Sequence, residues 1–106
     1  MRIRRMTRED LDRVMEIEGA SFSDPWNRAM LLSELANTFA RIFVAEVDDG
    51  QLLGFVIAWV VADETHILDL AVDPTCRRRG VGRDLTRAVL ETGESEDALY
   101  AVLEVR

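Results

Sequence analysis

Residues 66–83 read HILDLAVDPTCRRRGVGR, and this stretch decides the fold. It begins with a largely apolar run that ends at Asp73 and Pro74. Because proline cannot donate to a sheet ladder and restricts the residue before it, the run predicts a central strand that stops there. A basic loop with glycines follows, and then apolar residues recur at helical spacing up to Gly93, a residue typical of a helix C-cap. The stretch therefore predicts a strand, a loop and a helix in succession.

Upstream of this stretch, local signals predict one strand and two helices. Residues 2–5 have the pattern of a short strand, and Thr7 begins a capping-box pattern in which a carboxylate follows in the first helical turn. The helix that follows should end near Ser21, before an Asp-Pro break. Asn27 is a suitable N-cap residue for a second helix, which should stop near Asn37.

Two runs rich in β-branched and aromatic residues, 42–47 and 52–61, surround the turn signal Asp48-Asp49-Gly50 and predict a hairpin. Residues 98–105 give the last strand. The order is then β-α-α-β-β-β-α-β, without an internal repeat or a linker-like stretch. We expect one α+β domain over residues 1–106, in which a right-handed crossover joins two parallel strands.

The composition argues against several classes of protein. Acidic residues outnumber basic ones 20 to 13, which disfavours a nucleic-acid partner because phosphates need a basic surface. No apolar stretch approaches the ~18 residues of a membrane span, and no apolar segment follows the basic start, so we expect neither membrane insertion nor secretion. Cys76 is the single cysteine, and one Cys with one His does not make a structural zinc site. A cytoplasmic protein without a metal fits best.

The basic loop, Arg77-Arg78-Arg79-Gly80-Val81-Gly82-Arg83, carries the chemistry. Backbone N–H groups at a helix start have no intrahelical partner and lie at the positive end of the helix dipole, so an anion can bind there. Gly80 and Gly82 allow the main chain to approach a diphosphate closely, and the arginines add positive charge. The segment lacks the Gly-Lys-Ser/Thr of a nucleotide P-loop and the longer dinucleotide fingerprint. The alternative interpretation is a tight turn with solvated arginines.

This loop resembles the signature of the GNAT superfamily, Arg/Gln-x-x-Gly-x-Gly/Ala, with Arg77 in the first position. Three segments resemble its RimI branch, the ribosomal-protein-alanine N-acetyltransferases: DLAVDP at 69–74, FSDPW at 22–26 and LEVR at 103–106. The resemblance covers the whole chain. It implies the GNAT (acyl-CoA N-acyltransferase) fold, a mixed central sheet flanked by helices. It also implies an enzyme that moves acetyl from acetyl-CoA to the α-amine of a protein such as a ribosomal protein.

The same resemblance implies where the cofactor binds. The pantetheine arm of acetyl-CoA would lie along the central strand, because an unpaired strand edge can bind an amide-rich chain, and the pyrophosphate would lie on the basic loop. A strand amide near Leu70 or Ala71 would polarise the thioester carbonyl. No metal is needed. The implied cofactor-binding residues are Leu70, Ala71, Val72, Arg77, Arg78, Arg79, Gly80, Val81, Gly82 and Arg83.

Glu104 matches the family position of the general base, which takes a proton from the acceptor amine. The alternative is a strand-face carboxylate paired with a neighbouring arginine. Phe22 and Trp26 match positions that line the acceptor groove in related enzymes, although aromatics at helix ends are often core residues. Asp69 could attract a cationic amine or a basic peptide. The alternative interpretation is that Asp69 is a solvated residue at a strand end. His66 begins the strand and is expected to be a partly exposed strand-end residue without a role.

The family pattern continues with an Asn that contacts the cofactor and a Tyr that protonates the leaving thiolate. Both belong to a further helix, which is followed by more strands, whereas this sequence stops at Arg106. We therefore expect the usual C-terminal helix and strands to be lacking, and Tyr100 does not match the motif of the acid. We also expect the exposed last strand to cause homo-oligomerisation or marginal stability.

Three alternative functions stay open at this point. The first keeps the fold and the cofactor but transfers acetyl to a small-molecule amine or a lysine side chain. The second is a non-catalytic CoA-binding or scaffold module. The third is a nucleic-acid binder that uses the basic loop, which predicts salt-sensitive binding that CoA does not displace.

Overall fold

The computed structural model describes residues 1–104, which form one five-stranded sheet and three α-helices. The strands are β1 (Arg2–Arg5), β2 (Ala40–Glu46), β3 (Leu52–Val61), β4 (Glu64–Val72) and β5 (Tyr100–Leu103). The helices are α1 (Leu11–Ser21), α2 (Arg28–Ala36) and α3 (Val81–Ser95). The predicted order of elements is confirmed. Val105, which the predicted last strand includes, lies outside the described residues.

Helical structure follows both predicted capping residues, although after Thr7 it is a 3-10 turn, Arg8–Asp10, and α1 itself begins at Leu11. The backbone N–H of Thr7 donates to Oδ2 of Asp10 at 2.8 Å, and a short 3-10 turn leads from there into α1. The Arg4 guanidinium bonds both oxygens of Asp10 at 2.9 Å, which holds the pKa of that carboxyl below its usual value and joins β1 to α1. Oδ1 of Asn27 accepts the N–H of Met30 at 2.9 Å and caps α2.

The strands lie in the sheet in their chain order. β1, β2, β3 and β4 pair antiparallel with their neighbours, and the β2–β3 hairpin closes through Gly50, whose φ of 89° suits glycine. β5 pairs with β4 in parallel, so α3 forms the crossover between them. The sheet is therefore mixed, as the sequence predicts.

Alternate residues of β3 show that the sheet is the middle layer of the domain. Phe55 and Ile57 pack with residues of α1 and α2, whereas Val56 and Ala58 pack with residues of α3. All four are 0% exposed, so both faces of this strand are covered. The expected mixed central sheet flanked by helices is confirmed.

Gly93 does not end α3, and the predicted C-cap is wrong. The helix continues to Ser95, and Glu96 is its C-cap residue. A Cβ at Gly93 would overlap Oγ1 of Thr65 in β4 and lie 3.4 Å from Cβ of Ala98. Glycine is needed here because α3 packs closely on β4, a tertiary contact that no local pattern reveals.

Replacement of Gly93 by alanine should therefore destabilise the domain. We expect G93A to lower the free energy of unfolding by ~1–2 kcal/mol, since overpacking outweighs the better helix propensity of alanine. The double variant G93A/T65A should recover part of that loss, because it removes the overlapping hydroxyl. Chemical denaturation of the four proteins of this cycle measures the coupling. Additive effects of the two substitutions would contradict this account.

β5 forms one edge of the sheet, and its apolar side chains are open to solvent. Tyr100, Val102 and Leu103 are all exposed, and so is Leu99 just before the strand. The predicted association or marginal stability of this edge stays a prediction. None of the helices in the described part of the chain is long and apolar enough to cross a membrane.

Candidate functional site

The central feature of the site is the divergence of β4 and β5. Their parallel ladder pairs Glu64–Ile67 with Tyr100–Leu103, and the N–H of Glu104 donates to the carbonyl of Ile67 at 3.1 Å. Residues 68–72 of β4 continue without a register partner in β5. Backbone groups along that edge are thus available to an extended, amide-rich ligand.

A β-bulge at Leu68 marks the point where the two strands separate. The β3–β4 register passes from Ile57 opposite Asp69 to Ala58 opposite Ile67, which leaves Leu68 as the extra residue. The bulge shifts the alternation of faces, as bulges do. Ile67 and then Leu70 pack with the α3 side, whereas Leu68 packs with the α1 side. The bulge therefore redirects the backbone of β4 beside the open edge.

Two clefts meet at this point. The large cleft, of about 700 Å³, lies between α2 and the sheet; it contains Trp26, Trp59 and the carboxylates of Glu34 and Glu104. The small cleft, of about 210 Å³, lies where the strands diverge, and Phe22, Asp69, Leu70 and Leu103 line it. Leu68 and Glu104 line both clefts. Molecules bound in the two clefts would therefore meet beside the Glu104 carboxylate.

The alternative interpretation of Glu104, a strand-face carboxylate, requires a neighbouring arginine as its partner. Within the described residues, Glu104 has no such arginine partner. Its side chain is 60% exposed, and the ionisable side chain in contact with it is His66, whose Nδ1 lies 3.8 Å from Oε1 of Glu104. Arg106, the arginine that follows it in sequence, lies outside the described residues. The carboxylate faces the clefts and is available to accept a proton.

His66 lies inside β4 rather than at its start, so the expected strand-end position is wrong. The strand begins at Glu64 because a tight turn, in which Ala62 has a φ of 53°, follows β3 directly. Nε2 of His66 lies 2.7 Å from Oε2 of Glu64. Its contact with Glu104 depends on the parallel register of β4 and β5, which the sequence does not specify.

The three predicted acceptor-side residues have different environments. Asp69 is 3% exposed, so the alternative of a solvated strand end is wrong. Phe22 and Trp26 are half-buried, and both pack on the core while lining a cleft. The core and groove interpretations of these aromatics are therefore compatible.

Glu18 is a structural residue of this site that sequence reasoning missed. It is 0% exposed, and its Oε2 accepts the backbone N–H of Trp26 at 2.9 Å. The bond fixes the segment between α1 and α2 that contributes Phe22 and Trp26 to the clefts. Its spacing from Leu11 and Val14 on the apolar stripe of α1 is the signal that could have revealed it.

The basic loop has the geometry that an anion site requires. Arg78 and Gly80 have φ of 68° and 78°, and α3 starts at Val81 with its first N–H groups directed toward the loop. A Cβ at Gly82 would meet only Cγ2 of Val72, at 3.7 Å, so the space above this glycine is open for a ligand. Arg77, Arg78, Arg79 and Arg83 are exposed around it. These features fit the diphosphate of CoA.

A third cleft connects the loop with the open edge of β4. This loop cleft, of about 580 Å³, is lined by Leu70 and by residues of α3, which are Gly82, Arg83, Thr86, Arg87, Leu90, Glu91 and Glu94. Leu70 also lines the small cleft, so the loop cleft and the small cleft adjoin at this residue, and Glu104 lines the small cleft as well. In residues 1–104, no three His, Cys, Asp or Glu side chains are grouped to hold a metal ion.

Arg13 and Asp73 hold the start of the basic loop. Nη2 of Arg13 lies 2.6 Å from Oδ2 of Asp73 and 3.0 Å from the carbonyl oxygen of Leu52. Oδ1 of Asp73 accepts from the N–H and the hydroxyl of Thr75. These bonds lower the pKa of Asp73 from 3.8 to about 2, and the bond to the Arg13 guanidinium has the largest effect. The loop is thus joined to α1 and to the start of β3.

D73N should remove a pH-dependent part of the stability. Because the pKa of Asp73 is lower in the folded chain, its stabilisation is fully present above pH 3.8 and disappears as the pH falls through about 2. Wild type should melt at a higher temperature than D73N at pH 6, and the two curves should converge toward pH 2. Thermal melting at several pH values measures this. A difference that does not change with pH would contradict the assignment.

Comparison with known proteins gives relatives over most of the chain. The profile of the Acetyltransferase (GNAT) family matches residues 11–106. A Bacillus subtilis (strain 168) protein provisionally named ribosomal protein bS18-alanine N-acetyltransferase is 38% identical over 105 residues, or 98% of this chain and 69% of that protein. The ribosomal protein bS18-alanine N-acetyltransferase of Haemophilus ducreyi (strain 35000HP / ATCC 700724) is 28% identical, over 98% of this chain and 70% of that protein.

The solved structures include a similar fold from the same group. The crystal structure of the ribosomal-protein-S18-alanine N-acetyltransferase from Escherichia coli matches with a TM-score of 0.89 and 28% identity. The match covers 99% of this chain and 66% of that one. This chain therefore spans about two thirds of the length of each of these relatives.

Proposed function

Because the chain belongs to the GNAT acetyltransferase family, we propose that it transfers acetyl from acetyl-CoA to the α-amine at the N-terminus of a protein, such as a ribosomal protein. The observation that carries this proposal is the position of Glu104 and Leu68, which line both the large and the small cleft. A cofactor that reaches the small cleft and an acceptor in the large cleft would meet beside one carboxylate. That arrangement suits a reaction in which two bound molecules react directly.

The cofactor side is supported by the two clefts that adjoin at Leu70, one lined by Gly82 and Arg83 and the other by Glu104. Bound acetyl-CoA supplies an acetyl thioester, the group that an amine attacks. The N–H groups at the start of α3 and the exposed arginines would hold the diphosphate, and the edge of residues 68–72 would bind the pantetheine amides. The β-bulge at Leu68 presents backbone at the small cleft, where an N–H can stabilise negative charge on the thioester oxygen.

The acceptor side is supported by the charge and shape of the large cleft. Glu34 and Glu104 are the ionisable side chains that line it, so the cleft suits a cationic N-terminus. Oε1 of Glu34 accepts the indole N–H of Trp59 at 2.6 Å, which fixes one carboxylate beside an aromatic surface. An α-amine with a pKa of ~7.7–8.0 is largely protonated at neutral pH, and only its neutral form attacks. Glu104 would take that proton.

An acceptor screen tests the proposal. The protein is incubated with acetyl-CoA and three acceptors: the N-terminal peptide of a ribosomal protein, the same peptide with a blocked N-terminus and an internal lysine, and a small amine. Mass spectrometry should locate acetyl on the free α-amine. Acetylation of only the lysine or the small amine would replace the proposed acceptor. Binding of acetyl-CoA without transfer to any amine would instead support a non-catalytic CoA-binding module.

Two accompanying predictions belong to this proposal. A cytoplasmic location and the absence of nucleic-acid and membrane partners are expected from the sequence. Homo-oligomerisation through β5 is expected from its exposed apolar edge. Light scattering of the purified protein at increasing concentration tests the second, and a monomer at all concentrations would contradict it.

A further inference from the structure

The proposed reaction needs a route for a proton to leave the site. When an N-terminal ammonium group is converted to an acetamide by a thioester, the nitrogen loses one proton before it attacks and a second afterwards, an N–C bond forms, and the C–S bond breaks. The leaving thiolate takes one of them, and the other must reach solvent before Glu104 can act again. The question is which group near Glu104 receives that proton.

His66 lies between Glu104 and a second, surface carboxylate. Its Nδ1 is 3.8 Å from Oε1 of Glu104, and its Nε2 is 2.7 Å from Oε2 of Glu64. The two ring nitrogens thus face two different carboxylates, and an imidazole can accept a proton at one nitrogen while it donates from the other. The Glu64 side chain is 42% exposed, so a proton that reaches it is at the surface.

We propose that His66 conducts the proton from Glu104 to Glu64 and from there to solvent. This inference rests on the proposed function, since it assigns a path to the proton that Glu104 removes. The 3.8 Å separation is longer than a hydrogen bond, so the exposed Glu104 side chain first moves toward the ring. Its proton then passes to Nδ1 of His66, and the proton on Nε2 moves to Glu64. A flip of the ring or proton exchange with water restores the starting tautomer. No oxidant, reductant or further reactant is consumed. His66 therefore acts on the reaction through Glu104 rather than by contact with the substrates.

The occupied site makes this path useful. Glu104 lines both clefts, so an acceptor in the large cleft and a thioester in the small cleft would cover the open sides of its carboxylate. His66 is not among the residues that line either cleft, so molecules bound in the clefts would leave the side of the carboxylate that faces the ring uncovered. Direct loss of the proton to bulk water would then be slower than transfer to the ring.

The neighbours of His66 support a relay between these two groups in particular. Its register partners are Trp59 in β3 and Val102 in β5, neither of which is ionisable near neutral pH. Glu34 of α2 faces the same region, but its Oε1 is bonded to the Trp59 indole. The ionisable groups that contact the ring in the described structure are Glu64 and Glu104.

The test measures turnover and its chemical rescue in the full protein with an acceptor peptide. H66Q keeps a polar side chain of similar length but cannot pass a proton. We expect H66Q to lower kcat roughly 10-fold with the KM values for acetyl-CoA and peptide unchanged, and added imidazole to restore kcat in proportion to its concentration. E64Q should give a smaller loss in the same direction, because water can replace an exposed carboxylate.

Two outcomes would overturn the proposal while the proposed function stands. One is wild-type kcat in H66Q. The other is a loss of kcat that imidazole does not restore at any concentration, which would indicate a structural role. The variant E104Q distinguishes the relay from the proposed function. If E104Q loses turnover while H66Q keeps wild-type kcat, only the relay is rejected. Absence of turnover in the wild type would reject both.

Discussion

G82V is expected to weaken acetyl-CoA binding strongly and to leave the fold intact. The protein has room for the new side chain, because a Cβ at Gly82 would approach only Cγ2 of Val72, at 3.7 Å. The cofactor does not have that room, since a branched side chain at the start of α3 would fill the space where a diphosphate meets the N–H groups. We expect the Kd to rise at least ~100-fold, or about 2.7 kcal/mol. Calorimetric titration with acetyl-CoA measures this.

Two further glycine variants sharpen the experiment. G19V is the matched control, because a Cβ at Gly19, on the exposed side of α1, meets nothing within 4 Å. It should bind acetyl-CoA like the wild type. G80V should lose both affinity and stability, since Gly80 has a φ of 78° and a β-branched residue is strained there by ~1–2 kcal/mol. Wild-type affinity in G82V would show that the loop is a tight turn rather than a diphosphate site.

Local chemistry made most of the fold predictable. Thr7 and Asn27 precede helical segments because side-chain oxygens there, their own or a neighbour's, accept free backbone N–H groups at the helix start. The Asp73-Pro74 pair ends a strand because proline cannot continue the ladder. These effects act within a few residues of chain. Gly93 misled the prediction because its small size serves a contact with Thr65, 28 positions away in sequence. A glycine required by packing looks the same in sequence as one required by a helix end.

The site was predictable where one continuous segment forms it. The basic loop contains its own glycines, arginines and helix start, so its geometry follows from residues 77–83. The position of Glu104 at the junction of two clefts does not follow from its local sequence, since it depends on where β5 separates from β4. The same holds for His66, which needs the parallel register, and for Glu18, whose bond to Trp26 depends on the path between α1 and α2. Contacts between separate elements are set by tertiary packing.

E104Q is expected to lower kcat by ~100-fold or more, the usual range for loss of a general base. Acetyl-CoA should bind normally, because Glu104 lies at the end of the cofactor path remote from the basic loop and glutamine has nearly the same shape. The defect should also depend on pH in a definite direction. Above the acceptor's pKa of ~7.7–8.0 the α-amine is already neutral, so a base contributes less. The ratio of wild-type to variant kcat should therefore fall as pH rises from 7 toward ~9.5.

This pH dependence distinguishes a base from a residue that only shapes the cleft. A shaping role would lower kcat by the same factor at every pH, since the cleft does not change when the amine loses its proton. E16Q is the matched control, because Glu16 is an exposed carboxylate of α1 and the change of charge is identical. It should have wild-type kcat throughout. If E104Q retains wild-type turnover at pH 7, the proton must leave the amine by another route, and the carboxylate at the meeting point of the two clefts would not be the base.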